Sequence, residues 1–392
     1  MSATSLTLSA RTRRGIRYSL TVFVAVRIGL FLVALVGLEL VPPLRPVSVP
    51  GWVAHPLPDP GWHNLFTSWE RFDGLWFLRI AAGGYRSGDG SAAFFPLYPL
   101  AIRAVSWLIG GHPFAASLIV SNVSFAAALC VLYSLTAAER SEERARRAVL
   151  FLATFPTALF FFAPYSESLF LLLAVTAFWA ARSDRWGTAG IAAALAALTR
   201  SIGIILAPAL VVEAFLRWRE RGRNPVPGIA AGAAPGVATL GYLAFWGLRS
   251  GAWLAPVHQQ ANWERRFSWP WATLVEATRF AFRYLGNANG GYWAIDWLIV
   301  VPALALSVYA VFRLRASYTV YLWGGLLVPL FYIFPGRPLM SMPRFLLPLF
   351  PLFWAASDLS ERWRLPRGAV AAVGAGGLAL LTVLFVNWYY IF

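Results

Sequence analysis

The sequence predicts an all-α, polytopic membrane protein from three observations: its composition, its long apolar runs and the placement of its arginines. Of its 392 residues, 59% are hydrophobic and only 13% are charged, with a mean hydropathy of +0.61. A soluble domain usually carries about 25% charged residues. Apolar runs of about 18 residues, enough to span a bilayer as a helix, recur along the chain. The first run, residues 16–41, is too long for a signal peptide and precedes no cleavage site, so we expect it to remain as a span.

The basic residues narrow the possible functions. All 33 are arginine, and the formal net charge is +16. The lack of lysine excludes a P-loop and Schiff-base chemistry. In a membrane protein such a charge reflects topology, so we expect no nucleic-acid partner. The only cysteine, Cys130, excludes an intrachain disulfide, and no histidine has metal-ligand spacing. We therefore expect neither a metal nor another cofactor.

Six short arginine-rich loops orient the chain. They cover residues 11–17, 140–147, 182–185, 217–223, 313–315 and 362–367. The positive-inside rule places all of them in the cytoplasm and leaves two long segments, 42–112 and 249–290, as outer loops of one membrane domain covering residues 1–392. The spans that satisfy both conditions are 16–41, 113–138, 147–164, 165–181, 187–200, 201–217, 226–248, 291–312, 318–335, 344–358 and 369–391. This pattern predicts about eleven crossings, with the N-terminus inside and the C-terminus outside.

Two assignments within this topology stay open. The short segments between 187 and 217 meet at "LTRSIG", and they either cross the membrane or form a hairpin that does not fully cross. Residues 94–110 either span the membrane or lie in its interface. Two prolines and Arg103 within this stretch favour an interfacial helix in the first outer loop.

The first outer loop contains "SWERFDGLWFLRIAAGGY", residues 68–85, in which carboxylates and aromatic rings alternate. Five apolar residues recur at helical spacing: Leu65, Trp69, Phe72, Trp76 and Ile80. This stripe predicts an amphipathic helix in the headgroup layer, with Glu70 and Asp73 at the lipid–water boundary and Arg79 near the helix end. One interpretation is a solvated polar face, and the other is a catalytic base that meets a lipid-tethered substrate.

Other candidate residues lie on the same predicted outer side. Glu167, in "PYSESLF", is a second catalytic candidate, with a charged helix N-terminus as the structural alternative. Arg27 and Arg200 lie in apolar runs, where an ionisable residue indicates function unless it snorkels or pairs structurally. Arg344 begins a predicted span, and His258 lies in the second outer loop. The predicted substrate-binding residues are Glu70, Arg79, Arg200, His258 and Arg344.

Five motifs in order carry a resemblance to a known family. They are "FDGLWFLRIAAGGY", "FFPLYPL", "PYSESLF", "ALTRSIGI" and "MPRFLLPLFPLFW". From about Arg27 to Trp354 the chain resembles the PIG-V-like mannosyltransferases, relatives of GPI mannosyltransferase 2 in the GT-C glycosyltransferase superfamily. The resemblance implies a multi-span enzyme with an essential aspartate in its first outer loop, which corresponds to Asp73. The family usually has Trp-Asp where this chain has Phe72-Asp73, a departure that keeps the acid.

The expected function is transfer of a sugar from a polyprenyl-phosphate donor to a lipid or glycan acceptor. The resemblance implies mannose and a reaction on the outer face of the cell membrane. Asp73 would act as general base, and arginines would stabilise the departing phosphate, so that a single displacement inverts the anomeric centre. Mannose or arabinose as the sugar, the acceptor and the linkage stay open. The alternative is a transporter or flippase of lipid-linked sugars, although we see none of the repeated halves typical of transporters.

Overall fold

A computed structural model gives the fold of residues 10–54, 61–259, 264–286 and 292–391. Helices make up most of it, joined by short turns and one two-stranded ribbon. The helices are α1 Ala10–Leu40, α2 Asn64–Thr67, α3 Asp73–Gly83, α4 Leu97–Leu108, α5 Pro113–Glu139, α6 Glu142–Ala153, α7 Glu167–Arg182, α8 Trp186–Thr199, α9 Leu206–Arg221, α10 Val226–Ser250, α11 Ala255–His258, α12 Pro270–Arg283, α13 Trp293–Val311, α14 Ala316–Leu330, α15 Met342–Phe345, α16 Phe350–Arg362 and α17 Arg367–Val386. Strands β1 Arg266–Phe267 and β2 Tyr332–Ile333 pair antiparallel.

Among the described residues, six helical segments are long and apolar enough to cross a membrane. They are α1, α5, α10, α13, α17 and the segment Ser201–Arg221, in which a 3-10 turn leads into α9. Three further apolar helices, α4, α8 and α14, are shorter. The prediction of a helical protein with several apolar spans is confirmed, whereas the count of about eleven crossings stays a prediction.

Two of the predicted spans are interrupted near their middle, and two others, 318–335 and 369–391, extend past their helices, since α14 ends at Leu330 and α17 ends at Val386. In the segment 147–164, α6 ends at Ala153 and a separate 3-10 turn follows Pro156. In the segment 344–358, the short α15 ends before Pro348 and α16 begins only at Phe350. Proline lacks the backbone N–H that a helix interior needs, which explains both interruptions. These breaks allow the chain to turn inside the protein rather than at its surface.

The helices pack around a core that is dense in aromatic side chains. Helix α5 contacts α1, α4, α6 and α7, and α8 lies between α7 and α10. Phe125 of α5 stacks on Phe161 with 4.3 Å between their ring centroids. In contrast, Val24, Ile28 and Leu32 of α1 are about half exposed. Such an apolar outer surface suits contact with lipid.

The six arginine-rich loops meet at one end of the helix bundle. The contacts that join them are Arg14–Glu142, Arg367–Glu143, Arg140 to the carbonyl of Arg313, Arg315–Glu220 and Arg217–Asp184. At their centre the fully buried Glu213 accepts hydrogen bonds from Arg182 (2.8 Å), Arg315 (2.8 Å) and Ser317 (2.7 Å). The positive-inside rule predicts that this shared end is cytoplasmic.

The stretch around Asp73 differs from its prediction. The expected continuous helix over residues 65–80 is broken, because α3 begins only at Asp73 and Phe72 has a positive φ of 50°. Trp69, Glu70 and Arg71 are fully buried. The prediction of one continuous amphipathic helix floating in the headgroup layer is therefore wrong, whereas the placement of its carboxylates at the lipid–water boundary stays a prediction. The stripe residues pack into the protein core instead of lipid.

Candidate active site

Asp73 is the first residue of α3, where the positive end of the helix dipole favours a carboxylate. A side chain on the following residue would be crowded, because α3 approaches the chain before α7 closely. A Cβ added to Gly74 would lie 3.3 Å from the carbonyl oxygen of Pro164. The "DG" pair therefore brings the carboxylate of Asp73 close to the start of α7.

Glu167 occupies the first turn of α7 and is fully buried. Its carboxylate lies 2.5 Å from a guanidinium nitrogen of Arg200, which also donates to the hydroxyl of Ser166 at 3.2 Å. Arg200 has an extended backbone at the end of α8, after which the chain folds back over the helix. At this fold a Cβ on Gly203 would lie 2.5 Å from the Cα of Ala197. The "TRSIG" break thus aims Arg200 at Glu167.

Arg344 joins the two carboxylates. It lies in the single turn of α15, which follows Ser341 in the left-handed region with a φ of 68°. Its Nη1 donates to Asp73 at 2.7 Å, and its Nε lies 3.2 Å from Glu167. Asp73, Arg344, Glu167 and Arg200 therefore form one chain of alternating charge. Four separate segments of the sequence contribute to it.

A third arginine completes this charged cluster. Arg265 donates to the hydroxyl of Ser341 at 3.1 Å. Burial, and next the positive charge of Arg344, lower the pKa of Arg265. The guanidinium carbons of Arg200, Arg265 and Arg344 lie 5.5, 5.6 and 5.6 Å from the centroid of one ring, that of Phe345. Three positive groups thus face two carboxylates in a largely buried place, an excess that favours an anion.

Of these cluster residues, the sequence had singled out Asp73, Glu167, Arg200 and Arg344, which come together. Arg265 lies next to Arg266 in the second outer loop, and nothing in the sequence pattern distinguishes the two arginines. The signal that identifies Arg265 is spatial.

Two other predicted substrate-binding residues lie elsewhere. Glu70 is buried and accepts a hydrogen bond from the indole nitrogen of Trp52 at 2.7 Å. Arg79 is buried and paired with Asp89 in the same loop. Neither has an ion pair with the cluster among the described residues. Both contacts are explained by packing of the first outer loop.

His258 and Arg27 are also outside the cluster. His258 is exposed at the end of α11. The guanidinium of Arg27 lies over the rings of Phe31 (4.2 Å), Trp69 (4.8 Å) and Phe162 (5.6 Å). Cation–π contacts of this kind stabilise a charge in an apolar environment, which favours the structural interpretation of Arg27.

The cluster and the arginine-rich loops occupy opposite ends of the bundle. Helix α7 begins with Glu167 in the cluster and ends with Arg182, which pairs with Glu213. Its 16 residues span roughly 24 Å, most of the apolar thickness of a bilayer. A membrane that surrounds this bundle would separate the two ends.

Comparison with known proteins gives a family match. The profile of the family described as mannosyltransferase (PIG-V) matches residues 16–218, more than half of the chain. A comparison with curated proteins finds no match. The matched segment contains Asp73, Glu167 and Arg200, and Arg265 and Arg344 lie beyond it.

Among solved structures, the chain is similar to the oligosaccharyltransferase of Archaeoglobus fulgidus. In the complex with zinc and sulfate, the TM-score is 0.46 at 13% identity, over 93% of this chain and 53% of that chain. In the apo form, the TM-score is 0.41 at 14% identity, over 94% of this chain and 55% of that chain. The chain spans about half the length of these structures, and nothing about its activity follows from so distant a likeness. The family match covers more than half of the chain and shows the family: the chain belongs to the mannosyltransferase (PIG-V) family.

Proposed function

We propose that the protein transfers mannose from a polyprenyl-phosphate donor to a hydroxyl of a lipid or glycan acceptor, with inversion, on the outer face of the cell membrane. One observation carries the proposal. Three guanidinium groups surround the ring of Phe345, and one of them, that of Arg344, also holds the carboxylate of Asp73 at 2.7 Å. An anion-binding group and a base therefore lie side by side.

The arginines suit the phosphate of a lipid-linked donor. Guanidinium binds phosphate through two parallel hydrogen bonds, and it retains its charge when buried. Arg200, Arg265 and Arg344 repel one another, and a bound phosphate would relieve that repulsion. The negative charge on the phosphate grows as the bond to the sugar breaks. Fixed positive groups therefore stabilise the transition state more than the bound donor.

The two carboxylates differ in access, which supports different roles. The side chain of Asp73 is 21% exposed, whereas that of Glu167 is fully buried between Arg200 and Arg344. Asp73 can reach an acceptor hydroxyl and is our candidate for the general base. Glu167, also expected to be catalytic, is better suited to position the two arginines. Removing it would take from Arg200 its carboxylate partner and leave Arg344 with the ion pair to Asp73.

The proposed step is a single displacement. Asp73 accepts the proton of the acceptor hydroxyl as its oxygen bonds to the anomeric carbon. The bond from that carbon to the phosphate oxygen breaks, and its electron pair stays on the phosphate, next to the arginines. Because the buried and ion-paired Glu167 is not available as a nucleophile, no covalent sugar intermediate is expected, and the configuration inverts.

The distribution of charge along the bundle supports our proposal that the reaction takes place on the outer face of the membrane. The cluster lies at the end of α7 opposite to the arginine-rich loops, which the positive-inside rule predicts to be cytoplasmic. The first outer loop, 42–112, then supplies Asp73, and the second, 249–290, supplies Arg265. A lipid-linked donor remains in the membrane, so its phosphate stays at the depth of the headgroups.

The test is transfer by purified protein in lipid nanodiscs. Polyprenyl-phosphate-mannose is offered with a panel of alkyl glycosides, and GDP-mannose and polyprenyl-phosphate-arabinose serve as competing donors. Products are identified by mass spectrometry and their anomeric configuration by NMR. We expect a mannoside product of inverted configuration from polyprenyl-phosphate-mannose and no product from the two competing donors. Transfer from GDP-mannose, a retained configuration, or no consumption of the lipid donor would overturn the proposal.

A further inference from the structure

The segment that follows α17, residues 387–391, returns to the active site; we call it the strap. Its first residue, Asn387, donates to the carbonyls of Gly37 (2.9 Å) and Val383 (3.0 Å) and accepts from the backbone N–H of Leu44 (2.9 Å). These bonds fix the direction in which the chain leaves α17. The next residue, Trp388, has a positive φ of 67°, so the backbone turns sharply there.

A buried ion pair holds the other end of the strap. Arg337 pairs with Asp296 through two hydrogen bonds of 2.6 and 2.8 Å. The same guanidinium donates to the carbonyls of Tyr390 (3.1 Å) and Ile391 (3.0 Å). Arg337 and Asp296 are both at least nine-tenths buried. A guanidinium that is fully engaged in this way fixes the backbone of the strap more firmly than its length would suggest.

The strap packs against the residue that precedes Asp73. The ring of Phe72 makes edge contacts with Trp388 and Tyr390, with 5.4 and 5.3 Å between ring centroids. Arg71 covers Trp388 at 4.3 Å and donates to the carbonyl of Val386. The strap is therefore a wall on the Asp73 side of the site.

Within this wall Tyr390 differs from its neighbours in exposure. Trp388 and Ile391 are each 3% exposed, whereas Tyr390 is 40% exposed. The pKa of Tyr390 is raised, first by the partial burial of its ring and then by the charge of Asp73, whereas the positive charges of Arg344, Arg337 and Arg265 oppose the increase. The hydroxyl of Tyr390 thus stays protonated at neutral pH and interacts electrostatically with Asp73 and Arg344. A rigidly held and accessible ring at this place needs an explanation beyond packing.

We infer that Tyr390 binds the acceptor and that the acceptor presents a sugar ring to it. The CH-rich face of a pyranose packs on an aromatic ring, while a phenol hydroxyl at the ring edge can bond to a sugar hydroxyl. Tyr390 lies on the Asp73 side, where the acceptor hydroxyl must arrive. The donor phosphate belongs with the arginines around Phe345. The inference rests on the proposed function, and it deepens it by naming a glycoside or glycolipid as acceptor and Tyr390 as a residue that sets its affinity.

The test separates acceptor affinity from donor use. Tyr390→Ala, Tyr390→Phe and wild type receive polyprenyl-phosphate-mannose with alkyl glycosides over a range of concentrations, and donor hydrolysis is measured without acceptor. The matched control is Tyr389→Ala, since this adjacent half-buried tyrosine instead donates to the carbonyl of Pro42 at 3.3 Å. Thermal unfolding of each variant in nanodiscs verifies folding. Binding of the same glycosides is measured separately by calorimetry, without donor.

We expect Tyr390→Ala to raise the KM for the acceptor and its dissociation constant about fivefold to tenfold, the loss of one aromatic contact. Donor KM and donor hydrolysis should match wild type, and Tyr390→Phe should recover most of the affinity. An unchanged acceptor KM, an equal rise in donor KM, an equal effect of Tyr389→Ala, or no saturable glycoside binding would overturn the inference. If wild type binds glycosides through Tyr390 but consumes no polyprenyl-phosphate-mannose, the proposed donor is wrong and the inference about Tyr390 stands.

Discussion

Replacing Asp73 by Asn removes the proposed base and keeps the shape of the side chain. General-base help contributes roughly 100- to 10,000-fold, so we expect turnover to fall within that range. The same change weakens the 2.7 Å contact with Arg344, which keeps its partner Glu167 at 3.2 Å. Because the amide oxygen of Asn still accepts a hydrogen bond, stability should fall by only about 1–2 kcal/mol. The loss of turnover should therefore far exceed any loss of folded protein.

A matched control exists in the same outer loop. Asp89 is 16% exposed, close to the 21% of Asp73, and is also paired with a buried arginine, Arg79. Asp89→Asn should cost similar stability and leave turnover per folded molecule near wild type. Glu70→Gln should also be mild, because glutamine can still accept the hydrogen bond of Trp52. The measurement is the initial rate of mannose transfer by each variant, corrected for its folded fraction. Turnover of Asp73→Asn within tenfold of wild type, or an equal loss in Asp89→Asn, would refute the assignment of the base.

Three further changes test the phosphate site, the topology and the ion network. Arg344→Lys should lower turnover although the charge is kept, because an ammonium cannot form two parallel bonds to phosphate, and Arg344→Ala should lower it further; wild-type rates and donor affinity in both would contradict this role. In a protein without Cys130, a cysteine at Ser87 should react with a membrane-impermeant thiol reagent in intact cells, whereas one at Ser141 should not. Labelling at Ser141 from outside would mean that residues 94–110 cross the membrane and that the predicted count of crossings is wrong. Glu213→Gln should lower the free energy of unfolding by about 1–3 kcal/mol, since the buried amide pairs less well with Arg182 and Arg315, which keep Glu139 and Glu220 as partners, and a melting temperature equal to wild type would argue against this network as a stabilising element.

The helical class and the shared side of the arginine-rich loops were predictable because both follow from composition and periodicity. The membrane requires long apolar helices, and short basic loops stay on one side. The breaks at Pro156 and Pro348 were not predicted. Hydropathy averages over a window, so it joins α6 to the following 3-10 turn, and α15 to α16, as if each pair were one span. A cysteine at Asn262, in the second outer loop, is also expected to react from outside, but Asn262 lies outside the residues that the structure describes.

The site was only partly predictable. Motif resemblance and the rarity of charges in apolar runs singled out Asp73, Glu167, Arg200 and Arg344, and all four meet. The prediction failed for the surroundings of Asp73, where a continuous helix in the headgroup layer was expected. A stripe of apolar residues at helical spacing predicts which side of a helix is buried, but not whether lipid or protein covers it. Trp69 is covered by Phe385 of α17 and by Phe31 of α1, and Phe72 is covered by the strap. Most of this surface comes hundreds of residues later in the chain, which no local pattern reveals.

The sequence distance between Asp73 and Arg344, 271 positions, has a consequence for biosynthesis. While the ribosome makes the chain at about 5–20 residues per second, the first carboxylates enter the membrane well before Arg265 and Arg344 exist. Until then Asp73 and Glu167 lack most of the charges that finally neutralise them. The early helices therefore stay in an unfinished arrangement, with these acids still in contact with water. Loop closure over such a separation makes assembly of the site a late event. The active centre thus depends on completion of nearly the whole chain, and an incomplete product would expose its charges to the quality control of the cell.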